Sequence, residues 1–283
     1  MSSSRQASAP ESAAVLHRPV CELLKCSLPL VLAGTGGAAG PELVAAVTQA
    51  GGFGFLDMSE APPARIREEV LAVRAHTDRH FGVEMNPAGT EPALLGAQIA
   101  ACIELRVPMA GLLGAPSRTA VRQLREAGVV VACHVSSVSA TCEAEGAGAQ
   151  ILIVQGREAG DPARGAQPLA AILADVLALA SVPVLAAGGI ADGTDIAAAL
   201  AAGAQGAVLG AAALQAGAGE GQAEGAAPLE TIASARSRLQ QLASDAAASL
   251  RGRALRFPER VMLSSPVCYA DELDAAYRSV RDR

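Results

Sequence analysis

The sequence is poor in aromatic side chains. Of 283 residues only four are Phe and two Tyr, and there is no Trp. A surface that reads single-stranded nucleic acid stacks bases on such rings, so that class is disfavoured. Positive charge is also in deficit: 22 Lys and Arg face 28 Asp and Glu, a formal net charge of −6. No global basic field exists to hold a phosphate backbone. An Arg cluster at Arg251, Arg253, Arg256 and Arg260 is the local exception. It reads either as a solvated helix face and loop or as a clamp on an anion. Six Cys are too few for a disulfide scaffold, and none forms a C-x-x-C pair. Four His without grouped carboxylates give no metal site. The N-terminus MSSSRQASAPESAAV has no apolar segment of signal-peptide length. The uncharged run Ile196–Gly219 is interrupted by Gly, Ala and two Gln. It is read as a helix, a Gly turn and a buried strand rather than a membrane span. A cytoplasmic chain acting on a small molecule, without nucleic acid or membrane, is expected. Homo-oligomerisation is left open.

What is abundant is small and apolar: 51% of residues are hydrophobic, chiefly Ala, Val, Leu and Ile. Short apolar runs recur at Leu28–Gly34, Gly52–Asp57, Phe81–Met85, Met109–Leu113, Val129–Val135, Ile151–Gln155, Val182–Gly188 and Gly206–Gly210. They do not alternate, which marks parallel strands buried on both faces. Helical patterns lie between them, and several end in Ala-Gly, as at Ala50-Gly51, Ala127-Gly128 and Ala202-Gly203. Eight such units predict a (β/α)8 TIM barrel, which typically needs about 250 residues. The expected organisation is a disordered N-terminus over 1–18, a barrel over 19–214 and a Gly/Ala-rich linker over 215–228. A short helical C-terminal tail over 229–283 packs on the barrel.

Barrel active sites lie at the C-terminal ends of the strands. After the seventh run come Gly188 and Gly189, and after the eighth Gly210. Loops at these places bind phosphate in many barrels; the alternative is a pair of tight turns. Gln155 ends the sixth run, and its amide suits the edge of a heteroaromatic ring. The loop beyond it, with Arg157, Glu158, Asp161 and Arg164, otherwise reads as solvated ion pairs. The first run ends in Gly34-Thr35-Gly36-Gly37, a backbone open to a flat ligand or a bare loop. His134 lies near the end of the fifth run, either as a core residue or as a catalyst at the rim. The other three His lie before or outside strand ends.

Taken in order, PLVLAGTGGAAGPELVAAVTQAGGFGFL, TD-x-x-FGV around Phe81, QGREAG and PVLAAGGIADG-x-x-IAAALAAGAQGAVLG resemble the nitronate monooxygenase family, formerly 2-nitropropane dioxygenases. The resemblance covers about Leu28 to Ala213, roughly two thirds of the chain. FMN-dependent enoyl-acyl-carrier-protein reductases share much of the pattern. The resemblance implies a TIM barrel holding FMN non-covalently and oxidising alkyl nitronates with O2 to a carbonyl compound and nitrite. It puts the phosphate on Gly188, Gly189 and the Leu209-Gly210-Ala211 turn. It puts Gln155 and Gly160 beside the flavin, and Ala33, Gly34 and Thr35 against the isoalloxazine ring.

Four departures fall at that site. The family's EAGGH loop, whose His is the base, is EAGDPARG here, leaving Asp161 or His134 to substitute. The Asn of FGVN is Glu84, a carboxylate unfavourable near flavin oxygens unless protonated or paired, with Asn86 two residues on. Ala-Pro-Met on the first strand is Ala33-Gly34-Thr35. The Thr after Gly210 is Ala211. Two other readings stand beside nitronate oxidation: a flavin barrel reducing an enoyl-type substrate with NAD(P)H, and a non-catalytic barrel binding a phosphorylated ligand.

Overall fold

The computed structural model describes residues 9–34, 39–114, 117–160, 165–214 and 232–251. Two short helices come first, α1 (Ala9–Leu16) and α2 (Val20–Leu24). Then strands and helices alternate: β1 (Leu30–Leu32), α3 (Pro41–Gln49), β2 (Phe53–Asp57), α4 (Pro63–His76), β3 (Gly82–Met85), α5 (Pro92–Glu104), β4 (Met109–Leu112) and α6 (Arg118–Glu126). The second half runs β5 (Val130–Val135), α7 (Val138–Ala147), β6 (Ile151–Gln155), α8 (Leu169–Leu177), β7 (Val184–Ala187), α9 (Gly193–Ala202) and β8 (Gly206–Leu209). A 3-10 turn (Ala211–Leu214) and the helix α10 (Ile232–Leu250) follow. All eight strands are parallel, each pairs with its sequence neighbour, and β8 closes on β1. This is the (β/α)8 TIM barrel that the apolar runs predict, with every strand inside its expected run.

The runs lack alternation because both strand faces are buried. One set of side chains fills the barrel: Val31, Phe53, Phe55, Met109, Ile151, Ile153, Leu185 and Val208 pack as one cluster. Phe53 and Phe55 meet edge to face, with centroids 5.2 Å apart. The intervening residues, among them Leu30, Leu32, Val83, Val131 and Leu152, join the helices in a second, outer cluster. The helices have chemically legible ends. Ser117 and Ser137 cap α6 and α7 by accepting N–H bonds from Ala120 and Ala140. The three Ala-Gly stops hold Gly51, Gly128 and Gly203 at φ of 98°, 81° and 114°, where a Cβ would be strained.

The floor of the barrel is closed by α2. Its Val20 and Leu24 enter the inner cluster, and the Val20 N–H donates to Gln205 Oε1 at 3.0 Å. α10 lies against α9, α3 and α1. The expectation of disorder through residue 18 is corrected from residue 9 onward. α1 packs on α10, Leu16 is fully buried in the outer cluster, and Glu11 pairs with Arg251 at 3.0 Å. The physical reason is that α1 packs on α10 and buries Leu16 in the outer core, which ties this end of the chain down. The linker 215–228, the tail beyond 251 and Arg253, Arg256 and Arg260 lie outside the described residues. The uncharged run divides as expected into α9, the Gly203 turn and β8. No described helix is long and apolar enough to cross a membrane.

Candidate functional site

A cleft of about 870 Å³ opens at the C-terminal ends of the strands. Its floor is the last inward-facing layer of the barrel: Ala33, Glu84, His134, Gln155, Ala187 and Val208. Ala33, His134 and Gln155 stand two places beyond inner-cluster residues, Ala187 and Val208 belong to that cluster, and Glu84 stands two places beyond Gly82, where a Cβ would meet the inward Phe55 ring, so strand parity aims them at the axis. The rim carries Asp57, Ser59, Glu60, Asn86, Glu158, Gly160, Gly188, Gly189 and Gly210.

The polar centre of this floor is Glu84, 3% exposed, and His134, 2% exposed. Glu84 Oε1 and His134 Nε2 are 3.1 Å apart, and Glu84 Oε2 accepts the Gly34 N–H at 3.0 Å. The route between them runs across β4. Glu84 registers with Gly111, Gly111 with Ala132, and His134 lies two residues further along β5. A Cβ on Gly111 would stand 2.7 Å from Glu84 Cγ, and one on Gly34 would stand 2.6 Å from Glu84 Oε2. The two glycines therefore leave the space that the carboxylate occupies. The Glu84 that the sequence marks as unfavourable unless paired is paired.

The rim is fixed by local bonds. Asp57 Oδ1 accepts the Ser59 N–H at 2.9 Å, and Gln98 on α5 donates to the Met58 and Ala61 carbonyls, both at 2.9 Å. Glu158 Oε2 accepts the Leu169 N–H at the start of α8 (3.0 Å). After β7 the chain turns through Gly188 and Gly189 at φ of 120° and 68°. At α9, Asp192 Oδ1 accepts from Thr194 and Asp195, and Asp195 Oδ2 accepts from Ala191 and Asp192. The N-terminus of α9 is thus satisfied by its own carboxylates. The turn before it and the 3-10 turn after Gly210 remain the backbone N–H sources at this side of the cleft.

Of the residues singled out in the sequence, Ala33, Glu84, His134, Gln155, Gly160, Gly188, Gly189 and Gly210 share the cleft. Gly34 lies behind Glu84, bonded to it. Leu209 faces the outer core, and Ala211 is buried with it; Ala212 and Ala213 line the cleft in their place. Thr35 and Asp161 lie outside the described residues. Asp57 and Gly111 are the contributions that sequence reading missed. Asp57 ends its strand run, so the rule that selects His134 also selects it. Gly111 carries no local signal, because its role depends on a side chain from the neighbouring strand.

Burial pushes the Cys102 and Cys133 thiols up to about 12. Both lie in the outer core, away from the cleft. No group of three or more His, Cys, Asp or Glu able to hold a metal occurs among the described residues.

Fold and cleft together define the class: a (β/α)8 barrel with its ligand cleft where barrel enzymes keep their active sites. The sequence profile of the nitronate monooxygenase family matches residues 17–94 and 95–256. The chain belongs to the nitronate monooxygenase family. Over 198 residues it is 34% identical to the (3aS,4S,5R,7aS)-5-hydroxy-7a-methyl-1-oxo-octahydro-1H-indene-4-carboxyl-CoA dehydrogenase of Mycobacterium tuberculosis, covering 69% of this chain and 55% of that protein. Over 240 residues it is 30% identical to the nitronate monooxygenase of Paraburkholderia phytofirmans, covering 68% and 65%. Among solved structures it is similar to FabK from Thermotoga maritima, with TM-score 0.65, 33% identity and 69% and 61% coverage. It is also similar to the nitroalkane oxidase of Streptomyces ansochromogenes, with TM-score 0.63, 30% identity and 69% and 68% coverage. The chain thus spans about half the length of the first of these relatives. The enzymes named among these relatives are oxidoreductases, and the family places the chain among enzymes.

Proposed function

We propose that the chain is an FMN-dependent oxidoreductase that oxidises alkyl nitronates, with O2 as co-substrate, to a carbonyl compound and nitrite. The observation that carries this reading is the shape of the cleft. Glycine turns after β7 and β8 form one end, and a layer of Ala33, Glu84, His134 and Gln155 forms the floor. The residues present fit the cofactor. Gly188 and Gly189 hold a backbone with φ positive that a side chain would strain, so main-chain N–H groups can approach an anion there. Since α9 caps itself, the phosphate would sit on the Gly188–Gly189 turn and the turn that starts at Gly210. Gln155 and Gly160 would border the ring, and Ala33 would lie against it. Bound FMN would supply the electron transfer from the nitronate to O2.

The chain's own part is binding and exclusion of water. A cleft of about 870 Å³ is within the range that holds a cofactor with a small substrate. Gln155 can donate its amide to a nitro oxygen. A nitronate is already a carbanion equivalent, so its oxidation does not depend on the loop His that this sequence lacks. Nitrite and carbonyl release from ethylnitronate, with O2 consumption, tests the reading. Absence of nitrite from FMN-loaded protein would rule it out.

A second reading, reduction or oxidation of a thioester-linked substrate with NAD(P)H, is favoured by the similarity to the carboxyl-CoA dehydrogenase and to FabK. NAD(P)H consumption that depends on an enoyl thioester, without nitrite release from nitronate, would select it.

A further inference from the structure

The end of the barrel opposite the cleft holds two cysteines in contact. α2 stops at Lys25, which takes the left-handed conformation (φ 52°, ψ 44°). The Cys26 N–H then bonds back to the Cys21 carbonyl at 3.1 Å. A helix that stops in this way brings the side chain after the left-handed residue onto the side chain five places before it. Here both of those side chains are thiols, and they hydrogen-bond to each other. Cys21 is 1% exposed. Cys26 is half-buried against the inner cluster, with its Sγ 3.2 Å from the Leu28 carbonyl oxygen. The shared bond sets the two thiols apart. The hydrogen bond from Cys26 holds Cys21 below the ordinary value of 9.0, against the opposing effect of burial. The same bond, and then burial, push Cys26 well above that value. Cys102 and Cys133, moved by burial alone, are the inert contrast. A sulfur that ionises readily, beside a second sulfur that can displace a group from it, is the arrangement of a reversible oxidation site.

We propose that Cys21 and Cys26 form a dithiol oxidation site, which a small hydroperoxide converts to an intrachain disulfide. The hydroperoxide enters beside the half-buried Cys26. The Cys21 thiolate attacks the terminal peroxide oxygen and the O–O bond breaks. The alkoxide or hydroxide that leaves takes up the proton released by Cys21, and Cys21 becomes a sulfenic acid. The Cys26 sulfur then attacks the Cys21 sulfur, and the S–O bond breaks as the S–S bond forms. The departing hydroxide leaves as water with the Cys26 proton. Two electrons pass from the two sulfurs to the peroxide, and a small thiol reverses the change by exchange. The disulfide fastens the turn at Lys25, and with it the helix whose Val20 and Leu24 plug the inner cluster. The site lies away from the cleft and does not depend on what the cleft oxidises.

The test is peptide mapping after oxidation. The reduced full chain is treated with a slight excess of hydrogen peroxide, alkylated, and digested with trypsin without reduction. Trypsin cuts after Lys25, so the two cysteines fall on different peptides and the bond appears as a linked pair in the mass spectrum. The linked pair is expected, with two of the six thiols lost and both restored by dithiothreitol. Because the fold lowers the Cys21 thiol, the pair should form at least about tenfold faster in the folded chain than in urea. Cys26→Ser is expected to stop at a sulfenic acid on Cys21, trapped by dimedone, and Cys26→Ala serves if that variant fails to fold. No dimedone label on Cys21 in either variant overturns its role as the attacking sulfur. Six thiols retained, a disulfide through the exposed Cys142 with Cys21 and Cys26 unlinked, or a linked pair that forms no faster in the folded chain than in urea overturns the proposal.

Discussion

Glu84 and His134, fifty residues apart in sequence, meet at 3.1 Å at the centre of the barrel mouth, almost sealed from solvent. Removing one partner leaves the other buried without its match. His134→Ala is expected to cost about 1–3 kcal/mol of folding stability, the range for leaving a buried hydrogen-bonding group without its partner. In urea unfolding, the loss in the double variant Glu84→Ala/His134→Ala should fall short of the sum of the single losses by at least about 1 kcal/mol. Strict additivity would mean that the two side chains do not support each other.

Gly111 gives a second, independent handle on the same pair. Gly111→Ala puts a methyl 2.7 Å from Glu84 Cγ, inside contact distance. Overpacking of this kind costs about 1–3 kcal/mol, and the midpoint of thermal unfolding should drop accordingly. Gly96 is the control: it lies within α5, and a Cβ there meets nothing within 4 Å. Gly96→Ala is expected to stabilise by about 0.5–1 kcal/mol through helix propensity alone.

The cofactor reading predicts a loss at the turn after β7. Gly189 sits at φ 68°, and a Cβ there would also crowd Glu158 Cβ at 3.3 Å. Gly189→Asp adds backbone strain and a carboxylate where the phosphate would lie. Flavin retention through gel filtration should be abolished. Retention equal to that of the wild-type protein would move the phosphate elsewhere.

The thiols make a pH-dependent prediction. Cys102 and Cys133 are pushed up to about 12 by burial, against an ordinary value of 9.0. Above pH 9 the unfolded chain releases these protons while the folded chain keeps them, so stability falls as pH rises from 9 towards 12. Each thiol contributes a slope of about 1.4 kcal/mol per pH unit in that window. The slope of urea stability against pH should flatten in Cys102→Ala/Cys133→Ala. At pH 8, iodoacetamide should modify the exposed Cys142 in the folded protein, and Cys102 and Cys133 only after unfolding.

α10 carries the packing of the C-terminal extension. Leu242 is fully buried among α10's neighbours in the outer core. Leu242→Ala is expected to cost about 2–5 kcal/mol, measured by denaturant unfolding. A cost below about 0.5 kcal/mol would mean that the helix contributes little to the barrel's stability.

The scaffold was legible in the sequence because its signal is local. A strand buried on both faces has to be apolar throughout, and a helix that stops at Ala-Gly announces the next strand. Eight repeats of that unit admit few other folds. The strand-end rule also picked out Gln155, His134 and the Gly188–Gly189 turn. The pairing of Glu84 with His134 was not legible. It depends on the register of three strands and on Gly111 leaving a gap between them. No spacing rule connects positions 84 and 134, so Glu84 read as a liability for the cofactor and His134 as either a core residue or, beside Asp161, one of two candidate bases. The helix over 9–16 was missed because its partner, α10, lies more than 200 residues further along the chain.

The most direct measurement is the visible absorption spectrum of the full chain, as purified and after addition of FMN followed by removal of free cofactor. The expected result is a flavin band corresponding to one FMN per chain, lost on denaturation. A chain that retains no flavin after that incubation would contradict the FMN-dependent reading, whatever its fold.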